Sequence, residues 1–504
     1  MSIGIPERAF PWSVAFAAAM TLAIGGCAVG TAFRPPMAPG VASYVDPAMP
    51  LPGETASAPV AGGEAQRFVP GQEIPAQWWA LFRSEALDRW VRQALADSPT
   101  LTAAQATLRQ AQEIRVARAG GLLPSVDAGA AVSRQQVPGA TLGQSGLRTS
   151  PFNLYNASVN VSYTFDLFGG TRRELEALQA QVDYQRFQLE GARLALTANV
   201  VTTAIQEASL RARIQATQEI LALQGQILST VERQVALGGA ARPDLLAQRA
   251  QMAQLRTTLP PLEKELAQTR HLLAVLAGRF PAEASGVPEF RLEGLQLPPA
   301  LPVSLPSSLA RQRPDIRAVD ELMRAAGARV GVATANLYPQ VTLSGSLGTN
   351  ASRIGDLFGP GTAAWSLGAG LLQPIFRGGA LTAERRAAVA VYDQAAAQYR
   401  ETVLQAFRNV ADVLRALEDD AVALAALAEA ETSARDSLGL TRKQFELGGA
   451  SHLALLQAQR RHQEARIGLV LGQAARFADT AALFQALGGG WWNREGEAAI
   501  AAKP

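Results

Sequence analysis

Asn156-Ala157-Ser158-Val159-Asn160-Val161-Ser162-Tyr163-Thr164-Phe165 alternates without a break, with Ala157, Val159, Val161, Tyr163 and Phe165 on one side and Asn156, Ser158, Asn160, Ser162 and Thr164 on the other. Successive side chains of a strand point to opposite faces, so this stretch is a strand with one apolar and one polar face. Three more segments follow the same rule. Val341, Leu343 and Leu347 oppose Gln340, Thr342, Ser344 and Ser346; Trp365, Leu367, Ala369 and Leu371 oppose Ser366, Gly368 and Gly370. Val126, Ala128, Ala130 and Val132 oppose Ser125, Asp127 and Ser133, the weakest of the four. Strands of about ten residues with such faces suit a transmembrane β-barrel. A soluble antiparallel sheet packed on helices is the alternative. Four strands cannot close a membrane barrel, which takes about eight at least, so copies of the chain must share one. Two copies would give eight strands and a lumen filled by side chains; three would give twelve and an aqueous bore.

Helices surround these strands, and the arrangement occurs twice. Pro99 and Pro124 recur with the same spacing as Pro314 and Pro339; Phe168-Gly169-Gly170 answers Phe376-Arg377-Gly378-Gly379. Leu237-Gly238-Gly239-Ala240 with Leu245-Leu246 recurs as Leu447-Gly448-Gly449-Ala450 with Leu455-Leu456. Each half reads helix, strand, strand, very long helix, turn, helix. The medium helices are expected at Ala86–Ala119 and Ser304–Ala335. The long ones are expected at Thr171–Leu237 and Ala380–Leu447, and the return helices at Pro243–Ala277 and His452–Leu487. Each long segment lacks Pro, keeps the helical apolar period and would run roughly 100 Å at 1.5 Å per residue. The length suits a coiled coil or helical tube, with a medium and a return helix stacked end to end beside each long one.

Composition narrows the function classes. A chain of 504 residues, 48% apolar, supports substantial cores, and its net charge of +3 carries no nucleic-acid-binding stripe. One Cys and three scattered His leave no disulfide framework or metal cluster to expect. No nucleophile motif, phosphate loop or ligand-spaced pair occurs, so an enzyme is not expected. After the first thirty residues nothing has the hydrophobic density of a membrane-spanning helix. Those first residues carry a weak basic start, the apolar run Ser13–Ile24 and a small-residue exit, a secretory signal. Ile24-Gly25-Gly26-Cys27 resembles the lipobox of bacterial lipoproteins, in which the thiol is acylated. Ala at position 28, where Asp would imply inner-membrane retention, implies an outer-membrane destination. The expected organisation is a signal over residues 1–26, a lipidated Pro/Gly-rich tether over 27–75, repeats over 76–300 and 301–488, and a tail over 489–504.

Taken together, the chain resembles an outer membrane factor of the TolC/OprM type, closest to the NodT-like lipoprotein branch. The resemblance rests on Arg313-Pro314-Asp315 with Leu337-Tyr338-Pro339, on Asp166-Leu167-Phe168-Gly169-Gly170, and on the repeated Leu-Gly-Gly-Ala turn. It implies a homotrimer whose twelve-stranded outer-membrane barrel continues into a periplasmic α-helical tunnel. It also implies the role of passive exit duct in a tripartite efflux system, with a periplasmic adaptor and an inner-membrane proton-driven pump as partners, and no cofactor beyond the lipid on Cys27. Competing readings are a lipid-anchored periplasmic adaptor, a secreted lipoprotein enzyme, or a channel serving metal efflux or protein secretion.

The resemblance also assigns residues. The turns Leu237, Gly238, Gly239, Ala240 and Leu447, Gly448, Gly449, Ala450 would form the periplasmic tips that receive the adaptor, besides capping their helices. Family members often carry Asp just past the second turn, but Ala454-Leu455-Leu456-Gln457 has none. Asp244, Arg442 and Gln457 are therefore the candidates for the periplasmic entrance.

Overall fold

The computed structural model describes residues 40, 41, 43–136, 138 and 150–494. The signal segment, Cys27 and residues 495–504 lie outside the described residues. In chain order the elements are β1 (Arg67–Pro70), α1 (Glu85–Asp97), α2 (Pro99–Ala119), β2 (Ser125–Gln135), β3 (Phe152–Phe165), α3 (Gly170–Ala236), α4 (Arg242–Arg256) and α5 (Leu259–Leu276). The second half supplies β4 (Ala300–Val303), α6 (Pro306–Gln312), α7 (Pro314–Ala335), β5 (Gln340–Ala351), β6 (Ala363–Leu372), α8 (Ala380–Glu446) and α9 (His452–Ala486). The two long helices, α3 and α8, have 67 residues each. Two compact units result, and both repeats contribute to each: one takes in Leu108–Gln185 and Val319–Tyr399, the other residues 40–107, Arg186–Ala318 and 400–494.

The first unit is built on an antiparallel sheet in the order β2-β3-β5-β6. Val126, Val161, Gly345 and Leu367 stand side by side across it, then Ala128, Val159, Leu347 and Trp365. Between these rows, on the opposite face, run Asp127, Asn160, Ser346 and Ser366. Directly opposed residues share a face, so the register gathers the apolar set of all four strands on one side. Asp166 starts α3, its carboxylate accepting from the backbone N–H of Thr171 and Arg172 at 3.0 Å each. The carboxylate thereby satisfies amides that no earlier turn of helix can reach. Met323 and Ala326 of α7 pack with Ala395, Tyr392 and Ala396 of α8.

The second unit owns an aromatic core. Trp78 stacks on Phe484 with centroids 5.5 Å apart, and Phe82 lies 6.4 Å from Phe477. Glu207 of α3 is fully buried. It accepts from Arg211 at 2.7 Å, from Arg270 of α5 at 2.9 Å and from the Phe290 amide at 3.1 Å. A buried carboxylate is tolerated only when so satisfied, and this one ties the segment between the repeats to α3.

Several expectations need correction. Both medium helices break, at Ser98 before Pro99 and at Arg313 before Pro314, where the backbone turns extended. Proline removes an amide and disfavours helix in the residue before it. The first return helix divides between Arg256 and Leu259, before Pro260. The expected tether over 27–75 is not free along its later part. Thr55 and Gln66 bond to each other, Gln66 donates to the Pro298 carbonyl at 3.0 Å, and β1 pairs in parallel with β4. The expected tail over 489–504 begins inside the fold, with Trp491 and Trp492 buried and Arg494 paired to Glu190 at 3.0 Å. Gly490 (φ 69°) lets the chain turn against the Ile74 carbonyl, where a Cβ would collide. Finally, α9 is long and apolar enough by composition to cross a membrane, with a mean hydropathy of 1.2, yet 44% of that window is buried in the fold. Phe477, Leu483 and Phe484 are among its fully buried residues, which makes it a core helix.

Candidate functional site

Two surfaces concentrate what the sequence singled out. The first is the sheet. Its apolar face has no cover among the described residues: Val126, Val132, Leu347, Trp365, Leu367 and Leu371 are all exposed. The opposite face is laced by polar contacts. Asn156 donates to Asn350 at 3.0 Å, Thr164 and Thr342 share a hydrogen bond at 3.1 Å, and Asn160 donates to Ser158 at 3.3 Å. An exposed apolar face backed by a hydrogen-bonded polar one is the arrangement of a lipid-facing wall lining a wet interior.

The second surface is the pair of helix turns. Gly238 (φ 75°) and Gly448 (φ 77°) end α3 and α8 in the left-handed region. Gly239 donates to the Gln234 carbonyl and Gly238 to that of Val235; Gly449 and Gly448 repeat the pattern onto Gln444 and Phe445. These are matching Schellman closures, which satisfy carbonyls left over at a helix end. Ser451 caps α9 by accepting from the Ala454 amide at 3.2 Å. Leu237 is 87% exposed and Leu447 88%, so each turn presents one leucine that nothing among the described residues covers.

Beneath the turns, Ile227, Val231, Leu438, Phe445, Leu455 and Ala458 form one apolar cluster that joins α3, α8 and α9. Gln248 of α4 donates to Gln224 of α3 at 2.6 Å, a buried bond that holds the two helices together. The three entrance candidates have different surroundings. Asp244 turns back on its own helix start, accepting from the Ala241 amide at 3.3 Å. Arg442 donates to Glu446 at 3.1 Å and to Gln226 of α3 at 3.4 Å. Gln457 is exposed.

Sequence reasoning passed over His452, which the fold puts among these residues. It is buried, its ring 5.8 Å from Phe445, and neither ring nitrogen has a hydrogen-bond partner among the described residues. Burial holds its pKa below the ordinary histidine value, against an opposing pull from Asp244. Its place one residue past the cap, seven after Phe445, was the available signal. Among the described residues no group of His, Cys, Asp and Glu comes together to hold a metal.

Comparison with known proteins covers both repeats. Residues 90–279 and 305–489 match the outer membrane efflux protein family. The pyoverdine export outer membrane protein OpmQ of Pseudomonas putida is 31% identical over 453 residues, spanning 88% of this chain and 94% of that protein. The outer membrane protein OprJ of Pseudomonas aeruginosa is 30% identical over 478 residues, 94% of this chain and 95% of that one. Among solved structures, the outer-membrane channel OprN aligns with a TM-score of 0.81 at 28% identity, over 92% of this chain and all of that one. The Campylobacter jejuni CmeC outer membrane channel has the same fold, with a TM-score of 0.82 at 20% identity over 94% and 97%. The exposed apolar wall thus has its explanation in the membrane, and the chain belongs to the outer membrane efflux protein family, the outer membrane component of efflux pumps.

Proposed function

We propose that three copies of this chain form one passive exit duct, lipid-anchored at Cys27. An adaptor engages its helix tips on behalf of an inner-membrane proton-driven pump. The observation that carries this is the sheet: four strands with one exposed apolar face and two open edges are a fraction of a barrel wall. Three such arcs suit a water-filled bore, where two would pack their lumen with side chains. The duct performs no chemistry, and its cargo is small organic solute, as with relatives named for pyoverdine export and toluene efflux. The mass of the detergent-extracted protein tests the assembly; a single-chain mass would overturn it.

The tips support the adaptor reading because Leu237 and Leu447 are apolar, equivalent by repeat and uncovered. Replacing both with Asp is expected to leave assembly intact, since both are almost fully exposed among the described residues, and to abolish export and adaptor crosslinking. Unchanged export would remove the docking role. At the entrance, Arg442 fastens α8 to Gln226 of α3, and Arg442→Ala is expected to raise solute leakage through the closed duct. For the anchor, metabolic palmitate labelling is expected to disappear in Cys27→Ser, and its persistence would refute acylation there.

A further inference from the structure

A cavity of about 450 Å³ lies within the second unit and is lined by no residue of the four-stranded sheet or of the helix turns. Its walls come from Trp78 and Trp79, from α1, α2 and α3, and from the chain that follows α9. That volume falls in the range of small-molecule sites, about 300–1,000 Å³. One wall depends on glycine. Gly489 has a φ of 71°, and a Cβ there would lie 2.4 Å from Leu194 and 3.5 Å from the indole nitrogen of Trp78. Without that carbon, this side of the indole nitrogen stays uncovered.

The polar groups around the cavity divide unequally. The acceptors are engaged: buried Glu190 takes bonds from Arg193 and, at 3.0 Å, from Arg494, and Gln77 accepts from Arg92 at 2.8 Å. The Thr197 hydroxyl donates to the Leu194 carbonyl at 2.9 Å. Donors are left over. Trp79 gives its indole N–H to Asp88 at 2.9 Å and Trp491 to the Gln312 carbonyl at 2.7 Å. The N–H of Trp78, a residue 1% exposed, has no partner among the described residues. Arg193 spends one terminal nitrogen on Glu190, while Arg92 spends Nε on Asp88 and one terminal nitrogen on Gln77. Each guanidinium therefore keeps at least one N–H unbonded among the described residues. A nearly buried donor calls for an acceptor, and Leu95 and Leu194 add apolar wall beside it.

We propose that this cavity binds a small organic anion. Trp78, Arg92 and Arg193 take its carboxylate or phosphate, and Leu95, Leu194 and the tryptophans take its apolar body. Guanidinium groups suit both oxyanions, whereas a cation would meet donors only. The ligand would touch α1, α3 and the chain after α9 at once, so its binding stabilises their packing by mass action. The site is complete in one chain and does not depend on the duct.

Calorimetric titration of the detergent-extracted full chain with phenyl phosphate and with benzoate tests this, the two arms separating phosphate from carboxylate head groups. Saturable binding of at least one is expected. Inorganic phosphate, lacking the apolar body, is expected to bind about tenfold or more weakly than phenyl phosphate, and benzylamine, a cation of similar shape, not to bind. Arg92→Gln and Trp78→Phe, which keeps a ring on Phe484, are each expected to weaken binding about tenfold, the worth of one hydrogen bond to a charged group. Arg89→Gln removes a charge one turn away on α1, in an exposed pair with Glu85 that does not line the cavity, and is expected to bind as the native chain does. Failure of both phenyl phosphate and benzoate to saturate would overturn the site, as would equal binding of benzylamine. If Arg92→Gln, an exposed position that folding tolerates, bound no more weakly than Arg89→Gln, the assigned contacts would be wrong.

Discussion

His452 is buried and Asp479 half-buried, and protonation of the two has opposite consequences. At the tip, the fold favours neutral His452 because its ring lies in an apolar cluster, Asp244 only partly opposing. Below the unfolded value of 6.5 the unfolded chain binds the proton more readily, so the tip is at full stability above that pH and loses it as pH falls. Amide protection of the α8–α9 turn, corrected for intrinsic exchange, is expected to drop between pH 7.5 and 5.5 (about neutral to mildly acidic), and His452→Phe to remove the drop. Asp479 of α9 behaves the other way. Burial first, then a hydrogen bond and repulsion from Asp420 of α8, push its pKa up to about 7, with Arg476 opposing. Asp420 Oδ2 is buried without a donor among the described residues, and a proton on Asp479 supplies one. Fully buried Arg476 donates nearby to the Leu417 carbonyl at 2.8 Å and to Thr55 Oγ1 at 3.2 Å, and Glu64 adds its charge. A raised carboxyl pKa contributes stability that is complete below 3.8 and lost as pH climbs through about 7. The packing of residues 53–66 is therefore expected to loosen at alkaline pH, and Asp479→Asn to flatten that dependence in hydrogen exchange. An unchanged profile in the variant would show that another group titrates.

Among the elements, the four strands of the antiparallel sheet were the most legible, because a period of two survives in each of these four and leaves a single arrangement that collects Val161, Leu347 and Leu367 together. The long helices were equally plain, their ends written in Gly238 and Gly448. What escaped was non-local. The strands β1 and β4 are four residues each and pair across more than two hundred residues of chain, so no window of sequence contains both. Burial of Trp491 likewise depends on the Gln312 carbonyl, which its indole reaches at 2.7 Å. Pro99 and Pro314 carried a break signal that helical periodicity around them masked. The faces of the sheet give the test at this scale. Val161→Arg puts a charge in the apolar row and is expected to cost about 2–4 kcal/mol near the bilayer midplane, read as loss of assembled protein in the outer membrane. Asn160→Arg, one residue away on the polar face, is expected to assemble normally. Equal damage from both would mean that the faces are assigned wrongly.

For the molecule as a whole, the two units differ in how much of their stability a single chain can supply. The second encloses Trp78, Phe82, Leu87, Leu210, Phe477 and Phe484, all nearly or fully buried, and large apolar side chains removed from water are the main source of fold stability. The first leaves its strand face, its outer edges and most of α2 open. Open backbone edges and thin apolar cover are the conditions under which segments exchange and unfold locally. Assemblies dissociated in mild detergent are therefore expected to keep slow amide exchange through α1, α5 and the later part of α9. Exchange should become fast in α2, β2, β6 and the first turns of α8. Reassembly should restore protection in the strand unit far more than in the other. Comparable losses in both units would show that the helical unit also depends on neighbouring copies for its core, and the division of labour argued from its buried aromatics would fall.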